Sequence, residues 1–278
     1  MDSRQTYALN MFGVLSMRNV PHILEKIFFS LDHKSFKTCM GVNKPWRALL
    51  STARYRKRLV ELLIEKEENE EKLLDASEDG DIEEVKRLIS NCMVDVNTHG
   101  KYHCTFSTPL IEAVRKGHKE VVNILLDAGA LVDKSSRDRT TPLHVASNYH
   151  VPIDIVKLLI DNGAQLDIRN GMGQTPLILA TGHAYEGTCN AKVKLLLDAG
   201  ALVNKADEDG YTPLMWTAIR GFPDITLTLI NGGADIDKAN NKGWTPLRLA
   251  EIYGHEEVAK LLLERGADPQ YKTLVYNS

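Results

Sequence analysis

The residues best suited to chemistry are a few histidines, cysteines and clustered carboxylates. His99, His103 and Cys104 lie close together, with Cys92 a short way upstream. By type, two imidazoles and two thiols form a zinc ligand set. Their spacing does not fit one, because closed zinc sites pair their ligands at short, repeated separations. No metal is expected here. Asp75, Glu78, Asp79, Asp81, Glu83 and Glu84 are the groups used in acid–base catalysis. They fall in a helical pair of an amphipathic stretch, where solvent-facing charge is the simpler account. His118, His144 and His255 have no nucleophile placed beside them, so a general-base role is not expected. No GxGxxG, phosphate-binding loop, GxSxG or HExxH motif falls where chemistry would need it. The sequence therefore points to no catalytic site and no cofactor.

Composition agrees with a binding protein. The 278 residues are 43% hydrophobic and 26% charged, and only 6% are aromatic. A net charge of -3 gives no global basic field to attract nucleic acid or an anionic membrane. Cys39, Cys92, Cys104 and Cys189 are scattered, which suits a reducing compartment better than a disulfide framework. The apolar run at residues 11–15 is too short for a signal peptide or a membrane span. An intracellular protein of the cytoplasm, the nucleus or both is expected.

What positions the side chains is a repeat. Thr-Pro-Leu recurs at 108–110, 141–143, 175–177, 212–214 and 245–247, at steps of 33, 34, 37 and 33 residues. Each copy leads into two helical stretches and closes on Gly-Ala, at 129–130, 163–164, 200–201, 233–234 and 266–267. The threonine hydroxyl caps free N–H groups at a helix start. Proline beside it suits the first helical position, and glycine at the far end can take the left-handed conformation that stops a helix. Two short helices cannot bury their own apolar faces. Stacked copies can.

With Thr141-Pro142-Leu143-His144 and Gly254-His255, these segments resemble ankyrin repeats. The resemblance covers roughly residues 70–271 and includes a degenerate first copy without Thr-Pro-Leu. It implies an all-α ankyrin solenoid with hairpin fingers and repeats at 72–106, 107–139, 140–173, 174–210, 211–243 and 244–271. Residues 272–278 form a tail. Repeat four carries four extra residues around Ala184–Asn190, and repeat three carries one near His150–Val151. Insertions in such arrays tend to map to one face.

Ahead of the repeats, residues 1–19 show no periodicity and are expected to be poorly ordered. Residues 20–58 carry a dense apolar load in three short helical segments, and 59–71 read as a charged helical connector. Pro21, Ile23, Leu24, Ile27, Phe28 and Leu31, then Val42, Lys44, Trp46, Arg47 and Leu49, form a pattern that resembles an F-box. That family is a three-helix module that docks on a Skp-family adaptor, and through it on a cullin–RING ubiquitin ligase. This chain departs from the pattern in two places. Only His22 separates Pro21 from Ile23, and Pro45 stands just before Trp46. A unit this small seldom buries enough surface to stand alone. The other reading is a helical cap on the repeat stack.

The ankyrin resemblance places target contacts on the concave face, at the finger tips and the exposed positions of each first helix. The residues carried over for that role are Arg115, Lys116, Arg137, Asp138, Tyr149, Tyr211, Ile219, Arg220, Trp244 and Tyr253. Aromatic and arginine residues dominate interface hot spots. Ser107, Met172, Glu208, Asp209 and Lys242 occupy neighbouring positions. Trp216 replaces a residue that is buried in the consensus and is expected in the core. Together the resemblances imply a non-catalytic substrate receptor of a Skp–cullin–F-box ligase, monomeric within that complex. The alternative is an ankyrin scaffold with no ubiquitin role.

Overall fold

Thr-Pro-Leu sets the start of each first helix by a shared mechanism. In the computed structural model, Thr108, Thr141, Thr175, Thr212 and Thr245 are all extended N-caps, and each hydroxyl accepts the N–H three residues on. Proline fills the first helical position every time. The structure describes residues 53–91, 94–100, 106–148, 150–182 and 188–269. All the adaptor-binding positions expected at Pro21 to Leu49 lie outside these residues, as do Tyr149, Cys92, His103 and Cys104.

The described residues contain twelve helices. They are α1 (Ala53–Asp79), α2 (Ile82–Ser90), α3 (Pro109–Lys116), α4 (Lys119–Asp127), α5 (Pro142–Ala146) and α6 (Ile153–Asp161), followed by α7 (Pro176–Ala180), α8 (Thr188–Asp198), α9 (Pro213–Arg220), α10 (Pro223–Asn231), α11 (Pro246–Ile252) and α12 (Glu256–Glu264). The chain divides into two units, residues 1–73 with 86–95, and residues 74–85 with 96–278. In the first, α1 continues without a break through 58/59 and 71/72, where the sequence suggested boundaries. No glycine or proline interrupts it. Leu73 and Leu88 of this unit are buried, and the Glu70 carboxylate accepts the Asp95 N–H at 3.2 Å.

In the second unit, first helices pack in a row: α3 on α5, α5 on α7, α7 on α9, α9 on α11. Second helices do the same, α4 on α6, α6 on α8, α8 on α10, α10 on α12. The core lies between the rows and includes Leu110, Val114, Val122, Leu125, Leu143, Ile155, Leu159, Leu177, Leu214, Leu229 and Val258. Each second helix closes as α4 does, where Ala130 N–H reaches Leu125 O and Gly129 N–H reaches Leu126 O, both at 2.9 Å. That double bond pattern needs a left-handed residue after the helix cap, and Gly129 supplies it with φ 88.

Side chains tie successive repeats together. Asn97 Oδ1 accepts Leu131 N–H at 2.7 Å, Asp133 accepts Gln165 N–H at 3.0 Å and Asp167 accepts Leu202 N–H at 3.1 Å. Asn204 and Asp237 do the same for Asp235 and Asp268, at 2.8 and 3.0 Å. Histidines add a second set. His118 Nε2 lies 2.9 Å from Glu78 O, His255 Nε2 lies 2.8 Å from Ile219 O and His144 Nε2 lies 3.0 Å from Gln174 O. These rings orient backbone, as the sequence suggested.

Candidate protein-binding surface

Three of the fingers are tight turns, each shaped by one polar side chain. Asp207 Oδ1 accepts the N–H groups of Asp209 and Tyr211, at 3.2 and 2.8 Å. Asn240 Oδ1 holds Lys242 N–H and Trp244 N–H at 2.9 Å each, and Asn170 treats Met172 and Gln174 alike. This fixes where Tyr211 and Trp244 leave the backbone. Both are half-buried, and the Lys242 ammonium lies 5.5 Å from the Trp244 ring centroid.

Trp216 is a correction. It is not in the core but half-buried, and its indole N–H donates to Asp207 Oδ2 at 3.0 Å. An indole carries a polar N–H that must be paired when it leaves water, and the finger carboxylate is within reach. Its ring meets the Tyr211 ring at 5.5 Å between centroids, tilted by 39°. One turn on, Arg220 stacks its guanidinium 5.4 Å from the Trp216 ring centroid. Burial of this half-exposed guanidinium draws its pKa below the ordinary arginine value. Burial, the nearby Tyr253 phenol and the Asp209 and Asp207 carboxylates hold the Tyr211 hydroxyl above its usual value, so it stays neutral and able to donate. Tyr253 and Ile252 are exposed, at 53% and 48%. Ile219 is half-buried.

The earlier positions are arranged differently. Arg115 Nε stands 3.3 Å from Glu112 and Lys116 Nζ stands 3.0 Å from Glu78. Arg137 is exposed and stacks 5.3 Å from the Phe106 ring centroid. Partial burial works to raise the Asp138 carboxyl, but hydrogen bonds from Ser136 and Thr140 outweigh it and hold it below the usual range. Ser107 is fully buried and offers nothing to a partner, whereas Met172 is 73% exposed. The structure thus brings Tyr211, Trp216 and Arg220 together and leaves the earlier charges in separate local pairs.

Two buried titratable groups support the scaffold. Burial lowers the pKa of His144, while the Thr141 N–H donates to Nδ1 at 3.2 Å and leaves the ring proton on Nε2 for Gln174 O. Lys192 is fully buried, and burial pushes its ammonium down to about 8 against the opposing effect of nearby Cys189. Its Nζ donates to Ala146 O at 3.0 Å and to Asn148 O. The signal was in the register. Lys192 aligns with Val121, Ile155, Ile225 and Val258, all of them buried aliphatic residues.

A sequence model of the family described as "Ankyrin repeats (3 copies)" matches the chain at 48–138, 73–170, 131–191 and 183–273. The chain belongs to the ankyrin-repeat family. Such repeats bind other proteins. No F-box is detected. Among similar proteins, the palmitoyltransferase AKR1 of Lachancea kluyveri is 33% identical over 149 residues, covering 52% of this chain and 19% of that protein. Ankyrin repeat and SOCS box protein 11 of Pongo abelii is 33% identical over 115 residues, covering 41% and 33%. Protein phosphatase 1 regulatory subunit 27 of Mus musculus is 35% identical over 108 residues, covering 39% and 68%. The chain therefore spans a third or less of the first two. A chain in the solved structure of the Bdellovibrio bacteriovorus predatory endopeptidase Bd0816 in complex with immunity protein Bd3460 has TM-score 0.62 and 29% identity. That match covers 69% of this chain and 96% of the other. Among the described residues no helix is long and apolar enough to cross a membrane.

Proposed function

We propose that this chain is a recognition subunit that holds a target protein on the face built by fingers and first helices, and hands it to a ubiquitin ligase. The observation that carries target capture is the group formed by Tyr211, Trp216 and Arg220, with Trp244 and exposed Tyr253 on neighbouring elements. Large aromatic rings and arginine left accessible to solvent are what interface hot spots are made of. Delivery rests on the pattern from Pro21 to Leu49, which would dock on a Skp-family adaptor and so on a cullin–RING ligase. Ankyrin repeat and SOCS box protein 11 likewise joins, by its name, an ankyrin array to a box module. The receptor does no bond chemistry of its own. It raises the target's local concentration beside the ubiquitin-conjugating enzyme.

A second reading, a scaffold whose N-terminal residues only cap the stack, is favoured by one observation. The ankyrin match reaches back to residue 48 and no F-box is detected. Pull-down of recombinant Skp adaptor by the purified chain separates the two. Binding by wild type, lost in a folded Leu24→Ala, Ile27→Ala, Trp46→Ala triple variant, supports the ligase receptor. No binding by the folded wild type leaves the scaffold.

A further inference from the structure

Resting on the target-capture reading above, we propose that Arg220 is the docking point for a carboxylate side chain of the bound protein, seated against the Trp216 and Tyr211 rings. The guanidinium is a planar fork of N–H donors shaped for a carboxylate. Inside this chain it makes the stack on Trp216 at 5.4 Å and, among the described residues, no hydrogen bond and no ion pair. Arg137 over Phe106 and Lys242 over Trp244 stack likewise, but both are exposed where Arg220 is half-buried, and other cations of the array are paired. Arg115, Lys116, Lys119 and Arg248 each face a carboxylate within 3.0–3.3 Å.

The Asp207 carboxylate, bonded to the same indole on which Arg220 stacks, is already engaged. Asp207 accepts the N–H groups of Asp209 and Tyr211 with one oxygen and the Trp216 indole with the other. Arg220 is also half-buried, and a cation that has lost part of its water without gaining an anion is poised for one. The same finger argues for a single carboxylate over a phosphate. Asp207, Glu208 and Asp209 would repel a dianion about twice as strongly as a monoanion. The partner segment is therefore an acidic residue flanked by apolar or basic ones, with the apolar contacts falling on Tyr211 and the exposed Tyr253.

Panning a random nine-residue peptide display library on the intact chain tests this, with affinities of the enriched peptides then measured in solution. The expected peptides share an Asp or Glu at one position. Changing it to Asn or Gln weakens binding at least tenfold, as does Arg220→Gln, and the two changes together cost no more than either alone. Arg220→Lys, which keeps the charge without the fork, falls between. Circular dichroism checks the folding of both variants, and Arg220→Lys carries the test if Arg220→Gln does not fold. Enriched peptides that Trp216→Ala weakens but that have no acidic position, or that ignore the Arg220 changes, overturn this proposal and leave capture on this face intact. Peptides indifferent to Trp216→Ala and to Arg220, or no enrichment at all, overturn both.

Discussion

The fingers at 136–140 and 207–211 occupy equivalent places in their repeats and do different work. In the earlier one, Ser136 and Thr140 donate to Asp138, so its charge is answered within the turn. Arg139 stands at φ 62, in a left-handed position that Gly173, Gly210 and Gly243 fill in the later fingers. In the later one, Asp207 braces its own turn and also anchors the Trp216 indole, on which Arg220 rests. The earlier turn answers its own carboxylate and sends Arg137 outward, onto Phe106. The other is a base for an aromatic and cationic surface. The lesson is that a charged or aromatic residue at an outward position marks a binding face only when its own chain leaves it unanswered.

The largest expected effect comes from breaking the later finger. Gly210 has φ 83, and a Cβ would lie 2.6 Å from the Asn241 side chain and 2.8 Å from its backbone nitrogen. Gly210→Ala should cost about 2–4 kcal/mol, combining left-handed strain with the clash, read from the denaturant midpoint. A loss under about 1 kcal/mol would mean that the finger is less constrained than its hydrogen bonds imply.

Next in size is binding. Trp216→Ala should weaken a captured peptide or target on the order of 30-fold, the scale of a hot spot. Lys116→Gln and Arg137→Gln should each change affinity by less than about threefold, as exposed charges do. Calorimetry on the three variants checks the contrast, and equal losses would erase it.

Lys192 gives a smaller effect that depends on pH. Its folded pKa, about 8, lies below the unfolded value of 10.5. Below pH 8 both states hold the proton and the cost of the buried charge is fully present. Between 8 and 10.5 the folded state sheds it first, so stability should rise with pH across that window. Lys192→Met should abolish this rise in chemical denaturation at pH 7.5 and 10. The same slope in the variant would place its origin elsewhere.

Smallest is Arg139→Gly. It should raise stability by about 0.5 kcal/mol, the relief of left-handed strain less the added freedom of the unfolded chain. A loss of stability would show that Arg139 makes a contribution that outweighs its strain.

Much of the array was legible because Thr-Pro-Leu and Gly-Ala are backbone instructions. A cap, a first-turn proline and a left-handed glycine act locally, so their spacing gave both the helices and the family. Trp216 was misjudged for the opposite reason. Its place depends on Asp207, nine residues away, offering a partner for the indole N–H. Lys116 and Arg220 occupy equivalent places by sequence, just before Gly117 and Gly221, and only the folded structure shows that Glu78 answers the first while no carboxylate among the described residues answers the second. Lys192 was readable from register alone, and it shows that aligning repeats position by position finds what scanning for motifs does not.

The central claim is that partners bind on the late repeats. Hydrogen exchange of the intact chain, with and without the tightest peptide from the unbiased library, tests it most directly. The account predicts new protection within residues 206–220 and 240–253. Protection concentrated within residues 112–140 instead, with the late fingers unchanged, would contradict it.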